Sequence, residues 1–160
     1  MLCEKPDIIC FGVDKDAETV QCAKRRLSVT GHSGRITVSI GDMFDVEDLA
    51  ERFPDIDAIT AIDVFHEYLS DGPDAVVGLL KGLKTNFPNT HLVVAEFFNI
   101  PRQWLRRFPS ATVEHHLFHS LTNQKTHSIE EWIEIFEMGG YKVVDKKLLH
   151  AIGHGYYVLG

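Results

Sequence analysis

The sequence predicts an α/β fold: a parallel sheet covered by helices on both sides, with an antiparallel strand pair at its carboxyl end. Three observations predict it. Short apolar, partly β-branched runs alternate with segments of helical periodicity, the pattern that sets crossover helices between parallel strands. Several runs stop at an acidic or glycine-containing turn. The last two runs follow one another with no helix between them, which makes them a strand pair.

Ile8 to Val13 is the first strand, stopped by Asp14-Lys15-Asp16. A helix follows, with Val20, Ala23 and Leu27 as its apolar face and Gly31 as its stop, which leaves Lys24, Arg25 and Arg26 solvated. From Arg35 to Ile40, the alternation of Ile36, Val38 and Ile40 with polar residues marks a second strand, which runs out into the loop Gly41 to Asp45. Ile56 to Val64 is apolar enough to read as a third strand buried on both faces. Pro73 opens a helix whose buried face is Val76, Leu79, Leu80, Leu83 and Phe87. His91 to Phe98 is a fourth strand. Ser128 and Glu131 form a capping box for a helix that runs to Met138 and stops at Gly139-Gly140. Tyr141 to Leu149 and Gly155 to Leu159 close the fold. Gly153-His154-Gly155 between them reads as a tight hairpin in preference to a substrate-contacting turn.

Composition limits the function. With 160 residues, 44% hydrophobic and 24% charged, the chain is an ordinary globular one, and residues 1–160 read as a single domain. The 16 Lys+Arg against 23 Asp+Glu leave a net charge of -7, and no basic run exceeds Lys24-Arg25-Arg26. That balance argues against nucleic acid or an anionic membrane surface as partner. No apolar run approaches the roughly 20 residues of a membrane span. Cys3, Cys10 and Cys22 are odd in number, and no secretion signal opens the sequence, so a reduced, cytoplasmic location is expected.

Phe11-Gly12-Val13-Asp14, Gly41-Asp42-Met43-Phe44-Asp45, Asp57-Ala58-Ile59 leading to Phe65-His66-Glu67, Leu92 to Glu96, and Glu131-Trp132 with Gly139-Gly140-Tyr141 stand in a characteristic order. In that order the chain resembles the class I S-adenosylmethionine (SAM) methyltransferases, which have a Rossmann-like fold. No single motif is specific; their ordered combination carries the resemblance. It implies SAM as cofactor. Asp14, beside Lys15, would accept the ribose hydroxyls, Asp42 after Gly41 would take the adenine amino group, Met43 would pack on the ring, and Asp63 would line the methyl-transfer crevice. The simpler reading makes Asp14 and Asp42 turn residues.

The departure from the family is as informative. Its first strand and Gly-rich loop, which approach the methionine part of SAM, have no counterpart here, so the resemblance implies an incomplete fold. In the family that strand lies between those matching Ile8 to Val13 and Ile56 to Val64. Its loss would leave two rows of unpaired backbone groups. A second polypeptide, or a second copy in a homodimer, is therefore expected to complete the sheet; the competing reading is a non-catalytic scaffold.

Two readings of the chemistry stay open. Phe65-His66-Glu67 and the segment Glu114 to Gln124 look similar to 2-oxo-acid C-methyltransferases of secondary metabolism, some of which hold a metal through two histidines. On that resemblance His66 and His119 are ligands, with His116 or Glu67 as substitutes, and iron, zinc, nickel or cobalt fits imidazole. The same Gly41-Asp42-Met43-Phe44 and His66 also resemble the O-methyltransferases of the hydroxyindole and caffeate type. There His66 would be a metal-free general base, oriented by Glu96 or Glu67. Either way the acceptor is a small molecule. Arg102, Arg106 and Arg107 are candidates to clamp its carboxylate, and Trp104, Phe97 and Phe98 to wall an aromatic ring, with solvated surface and core packing as the alternatives.

Overall fold

The computed structural model describes residues 7–100, 102–107, 117–118, 121 and 126–160. The chain divides into two compact units, Met1–Arg52 and Phe53–Gly160.

The amino-terminal unit is a β-α-β unit with a further helix: β1 (Cys10–Asp14), α1 (Ala17–Thr30), β2 (Ile36–Ile40) and α2 (Val46–Arg52). β1 and β2 are parallel, with Asp14 opposite Ile40. Asp16 caps α1. Its carboxylate accepts the Thr19 hydroxyl at 2.6 Å and the N–H groups of Thr19 at 2.9 Å and Glu18 at 3.3 Å, and those bonds hold its pKa below the usual value. Gly31 ends α1 in the left-handed region at φ 73°, and Val20 is buried with Ala23 and Leu27 half-buried beside it, as the spacing predicts.

The carboxyl-terminal unit runs β3 (Ala58–Ile62), a 3₁₀ turn at Phe65–Tyr68, α3 (Asp74–Asn86), β4 (His91–Phe97), α4 (Arg102–Leu105), α5 (Ile129–Met138), β5 (Val143–Leu149) and β6 (His154–Leu159). Its four strands lie in the order β3-β4-β6-β5. The α3 face Val76, Leu79, Leu80, Leu83 and Phe87 is buried as the periodicity predicts. So are Trp132, Ile135 and Phe136 of α5, whose capping box is complete. Trp132 stacks on Phe136, which meets Tyr157 edge-on, and the Trp132 indole N–H donates to the Phe97 carbonyl at 2.8 Å. α5 is thereby fixed on the face of the sheet that carries Tyr157. Gly153, at φ 63°, closes the β5–β6 hairpin, and a Cβ there would stand 2.6 Å from Ile100.

Among the described residues the strands form two sheets, β1-β2 and β3-β4-β6-β5, as expected if the strand between the first and the third is missing. The closing strand pair is antiparallel and lies at the edge of its sheet, as expected: β6 runs against both β4 and β5, so β5 on the rim is parallel to β4. Between its two neighbours β6 buries Tyr157 and Leu159 and exposes Tyr156, whereas β5 is largely exposed. One expectation is corrected: β3 is not buried on both faces. Ala58, Thr60 and Ile62 are exposed, Ile62 at 60%, because β3 pairs with β4 alone among the described residues. An apolar run reports that a strand prefers burial, not which neighbours cover it. Among the described residues no helix is long and apolar enough to cross a membrane.

Candidate active site

Ligands of open α/β sheets gather at the carboxyl ends of parallel strands, and each unit places acidic residues there. In the amino-terminal unit the Gly41 N–H donates to the Asp14 carbonyl at 3.1 Å, so Asp14 and the Gly41-Asp42-Met43 loop stand side by side. Asp14 is half-buried, and its Oδ1 accepts the Asp16 N–H at 2.8 Å. Asp42 is exposed, and its Oδ1 accepts the Phe44 N–H at 3.0 Å. Both are turn residues in this sense. Each carboxylate commits one oxygen to its turn and keeps a second acceptor for a ligand. Met43 is half-buried and Lys15 exposed. A Cβ on Gly41 would meet the Arg52 guanidinium at 2.8 Å, so a larger residue there would displace the end of a flexible side chain.

In the carboxyl-terminal unit the chemistry centres on Glu96, which is fully buried near the end of β4. Its Oε1 accepts the N–H groups of Val64 at 3.0 Å and Phe65 at 2.6 Å, and its Oε2 lies 2.8 Å from His66 Nδ1. These three contacts tie the 3₁₀ turn to β4 and bury His66, at 5% exposure, with its ring edge toward Phe97 at 5.5 Å. A carboxylate can only accept, so it places a proton on Nδ1 and, in the neutral ring, the lone pair on Nε2. Burial lowers the His66 pKa, but the hydrogen bond and charge of Glu96, helped by the charges of Glu67 and Asp63, outweigh it, and the net pKa is raised. Glu67 is exposed and acts by charge alone. Of the two proposed orienting residues, the one in contact is Glu96. Its signal in the sequence was an ionisable residue closing the apolar run Leu92 to Ala95, a position that is buried only with a partner.

Asp63 is brought to the same strand end. Its N–H continues the ladder to Ala95 at 2.9 Å, and its carboxylate meets His154 Nε2 at 2.6 Å. Phe97 lies between the two imidazoles, with the His154 ring at 4.9 Å. Sequence reasoning assigned His154 to a hairpin and missed this contact, whose partners are 91 residues apart.

The other predicted residues divide. Phe98 is core, fully buried. Trp104 is half-buried against His150 at 4.9 Å, with the Arg107 guanidinium 5.8 Å over its ring, so Arg107 is engaged with an aromatic face. Arg106 is exposed. Arg102 opens α4, and its side chain lies outside the described residues, as do His115, His116 and His119. Among the described residues no group of three His, Cys, Asp or Glu side chains is placed to hold a metal ion, and His66 already commits Nδ1 to Glu96.

Solved structures share the fold of this chain. The chain matches an O-methyltransferase family 2 protein from Planctomyces limnophilus, solved with apigenin, at TM-score 0.73 and 18% identity over 99% of this chain and 44% of that one. It matches the N,N-8-amino-8-demethyl-D-riboflavin dimethyltransferase of Streptomyces davawensis at TM-score 0.71 and 18% identity, over 99% and 44%. An O-methyltransferase of neocarzinostatin biosynthesis, solved with S-adenosylhomocysteine and 1,4-dihydroxy-2-naphthoic acid, matches at 0.69 and 18%, over 99% and 43%. The chain has a methyltransferase fold. It spans less than half the length of these methyltransferases. No family model matches the sequence. On the methyltransferase fold, the pairs Asp14 with Asp42 and His66 with Glu96 each lie where parallel strands end, the position at which such sheets receive ligands.

Proposed function

We propose that residues 1–160 act as one catalytic domain, part of a SAM-dependent methyltransferase of secondary metabolism that methylates a hydroxyl group on a small, flat aromatic acceptor. The observation that carries the reading is the buried His66–Glu96 pair: a fixed tautomer, with the proton-accepting nitrogen held at the end of a parallel strand. His66 takes the proton of the acceptor hydroxyl, Glu96 stabilises the imidazolium that forms, and the raised pKa strengthens the base. When bound, SAM supplies an electrophilic sulfonium methyl, so the protein contributes positioning and proton removal. Asp14 takes the ribose hydroxyls, Asp42 the adenine amino group, Met43 the ring face, and Asp63 lines the crevice. The small aromatic acceptors in the matched O-methyltransferase structures support the substrate class.

Open strand edges support a further element of the reading. Within β1, the Cys10 N–H bonds to Arg35 at 2.8 Å and the Asp14 carbonyl accepts from Gly41, so alternation turns the backbone groups of Val13 away from β2. Within β3, Asp57 and Asp63 bond to β4, which turns those of Ala58, Thr60 and Ile62 outward. Ala58 to Ile62 carries no charge or proline, and its pairing no bulge, to guard that edge. We propose that a further parallel strand, from a second polypeptide or a second copy, pairs with these edges and completes the SAM site.

The test is methyl transfer from SAM to flat phenols by the complete assembly and its His66→Ala variant. General-base loss predicts a fall of about 10²- to 10⁴-fold in kcat with little change in acceptor KM. Equal rates would overturn the assignment.

A further inference from the structure

We infer that His154 is a positioning residue for the His66–Glu96 pair, acting through the Asp63 turn; the inference rests on reading His66 as the general base. Asp63 is the only non-glycine residue with positive φ, at 53°, among the described residues. Aspartate tolerates that region better than most residues, but the conformation persists only where its surroundings hold it. What holds it is visible on both sides. The Asp63 N–H is fixed to Ala95, the residue before Glu96, and its carboxylate is fixed at 2.6 Å by His154 from the start of β6.

The consequence of the turn falls on the next three residues. Up to Asp63 the backbone bonds along the β3–β4 ladder; immediately after it, the Val64 and Phe65 N–H groups both swing onto Glu96 Oε1, and His66 reaches Oε2. A strand that continued straight would send alternate N–H groups to opposite sides. The left-handed residue is therefore what lets one carboxylate collect two successive N–H groups and the imidazole.

His154 is an unusual choice for stability alone. Its Nε2 must carry a proton to meet a carboxylate, and its Nδ1 is buried with no hydrogen-bond partner among the described residues. An apolar side chain would fill the same space, between Phe97 at 4.9 Å and Tyr156 at 4.8 Å, without burying a ring nitrogen that bonds nothing. The polar contact that this burial secures is the one to Asp63. A second route runs through Phe97, whose ring meets His154 on one side and His66 on the other.

The test compares His154→Leu, which fills the space and cannot donate, with His154→Gln, whose side-chain amide nitrogen reaches the Nε2 position, in the protein as purified with any subunit that accompanies it. Two readouts are taken: solvent exchange of the His66 Nδ1 proton by ¹H–¹⁵N NMR, and kcat with acceptor KM. Loosening of the turn predicts about tenfold faster exchange and about tenfold lower kcat in His154→Leu, with KM within about twofold, and recovery to within about threefold in His154→Gln. If His154→Leu fails to fold, His154→Asn replaces it, its amide being too short to reach Asp63. Wild-type exchange in the non-donating variant, or a folded His154→Gln that behaves like it, would overturn the inference. Faster exchange in an assembly with no methyl transfer would leave the positioning role standing and remove the general-base reading.

Discussion

Glu96→Gln separates the chemistry of the site from its shape. Glutamine matches glutamate in size, but its oxygen must stay on the Val64 and Phe65 N–H groups, since two facing donors repel, so its NH₂ turns to His66 Nδ1. Nδ1 then becomes the acceptor and the proton moves to Nε2, the nitrogen that has to receive one. Three hydrogen bonds to a buried carboxylate become bonds to a neutral amide, at about 0.5–1 kcal/mol each, or about 2 kcal/mol in all. For a chain of this size that lowers Tm by roughly 4–8 °C, readable in urea or heat from the buried Trp132. Activity falls further, by about 10²- to 10⁴-fold in kcat, because the tautomer is wrong in an otherwise intact site. The residual acid limb of the pH–rate profile moves to lower pH, since the hydrogen bond and charge of Glu96 are gone and only the charges of Glu67 and Asp63 still oppose burial at His66. A folded Glu96→Gln protein with wild-type kcat and an unmoved acid limb would refute the reasoning.

Stability carries its own signature of the same pair. The His66 pKa is raised in the folded chain, so the pair's contribution is fully present below the unfolded value of 6.5 and is lost as pH rises through the folded one; urea midpoints of wild type and His66→Gln should converge as pH climbs, and a pH-independent gap would contradict this. Gly139→Ala should destabilise by about 1–3 kcal/mol by overpacking, because the new Cβ would stand 2.4 Å from Leu80 Cβ while φ of -77° is unstrained. Equilibrium unfolding measures it, with an unchanged midpoint as the contrary result. Methyl transfer should survive a strong chelator; its loss would favour metal-assisted C-methylation of a 2-oxo acid through His66 and the histidines at 116 and 119.

Local features were legible because local physics decides them. The apolar phase of α3, the Ser128 capping box, Gly31 as a helix stop and the acidic ends of β1 and β2 each depend on neighbours a few residues away. His66 was legible as a candidate for the same reason, lying just past an apolar strand. Its partner was legible only as a choice between two glutamates, because contact across 30 residues is set by which strand lies beside β3. The Asp63–His154 contact was not legible at all. It requires β6 to insert between β4 and β5, and no periodicity in Gly155 to Leu159 distinguishes that from a simple rim strand. The exposure of β3 was hidden by its own apolar composition, which fits a central strand, whereas among the described residues β3 pairs with β4 alone.

The most direct measurement is a calorimetric titration of S-adenosylhomocysteine into the monomeric chain and into the assembly, with a second copy or a second polypeptide, in which the proposed further strand is present, each repeated with Asp14→Ala. Saturable one-to-one binding is predicted in the completed assembly, lost or strongly weakened by Asp14→Ala, and little or none to the monomer. No binding to the completed assembly, or binding that Asp14→Ala leaves unchanged, would contradict the proposal.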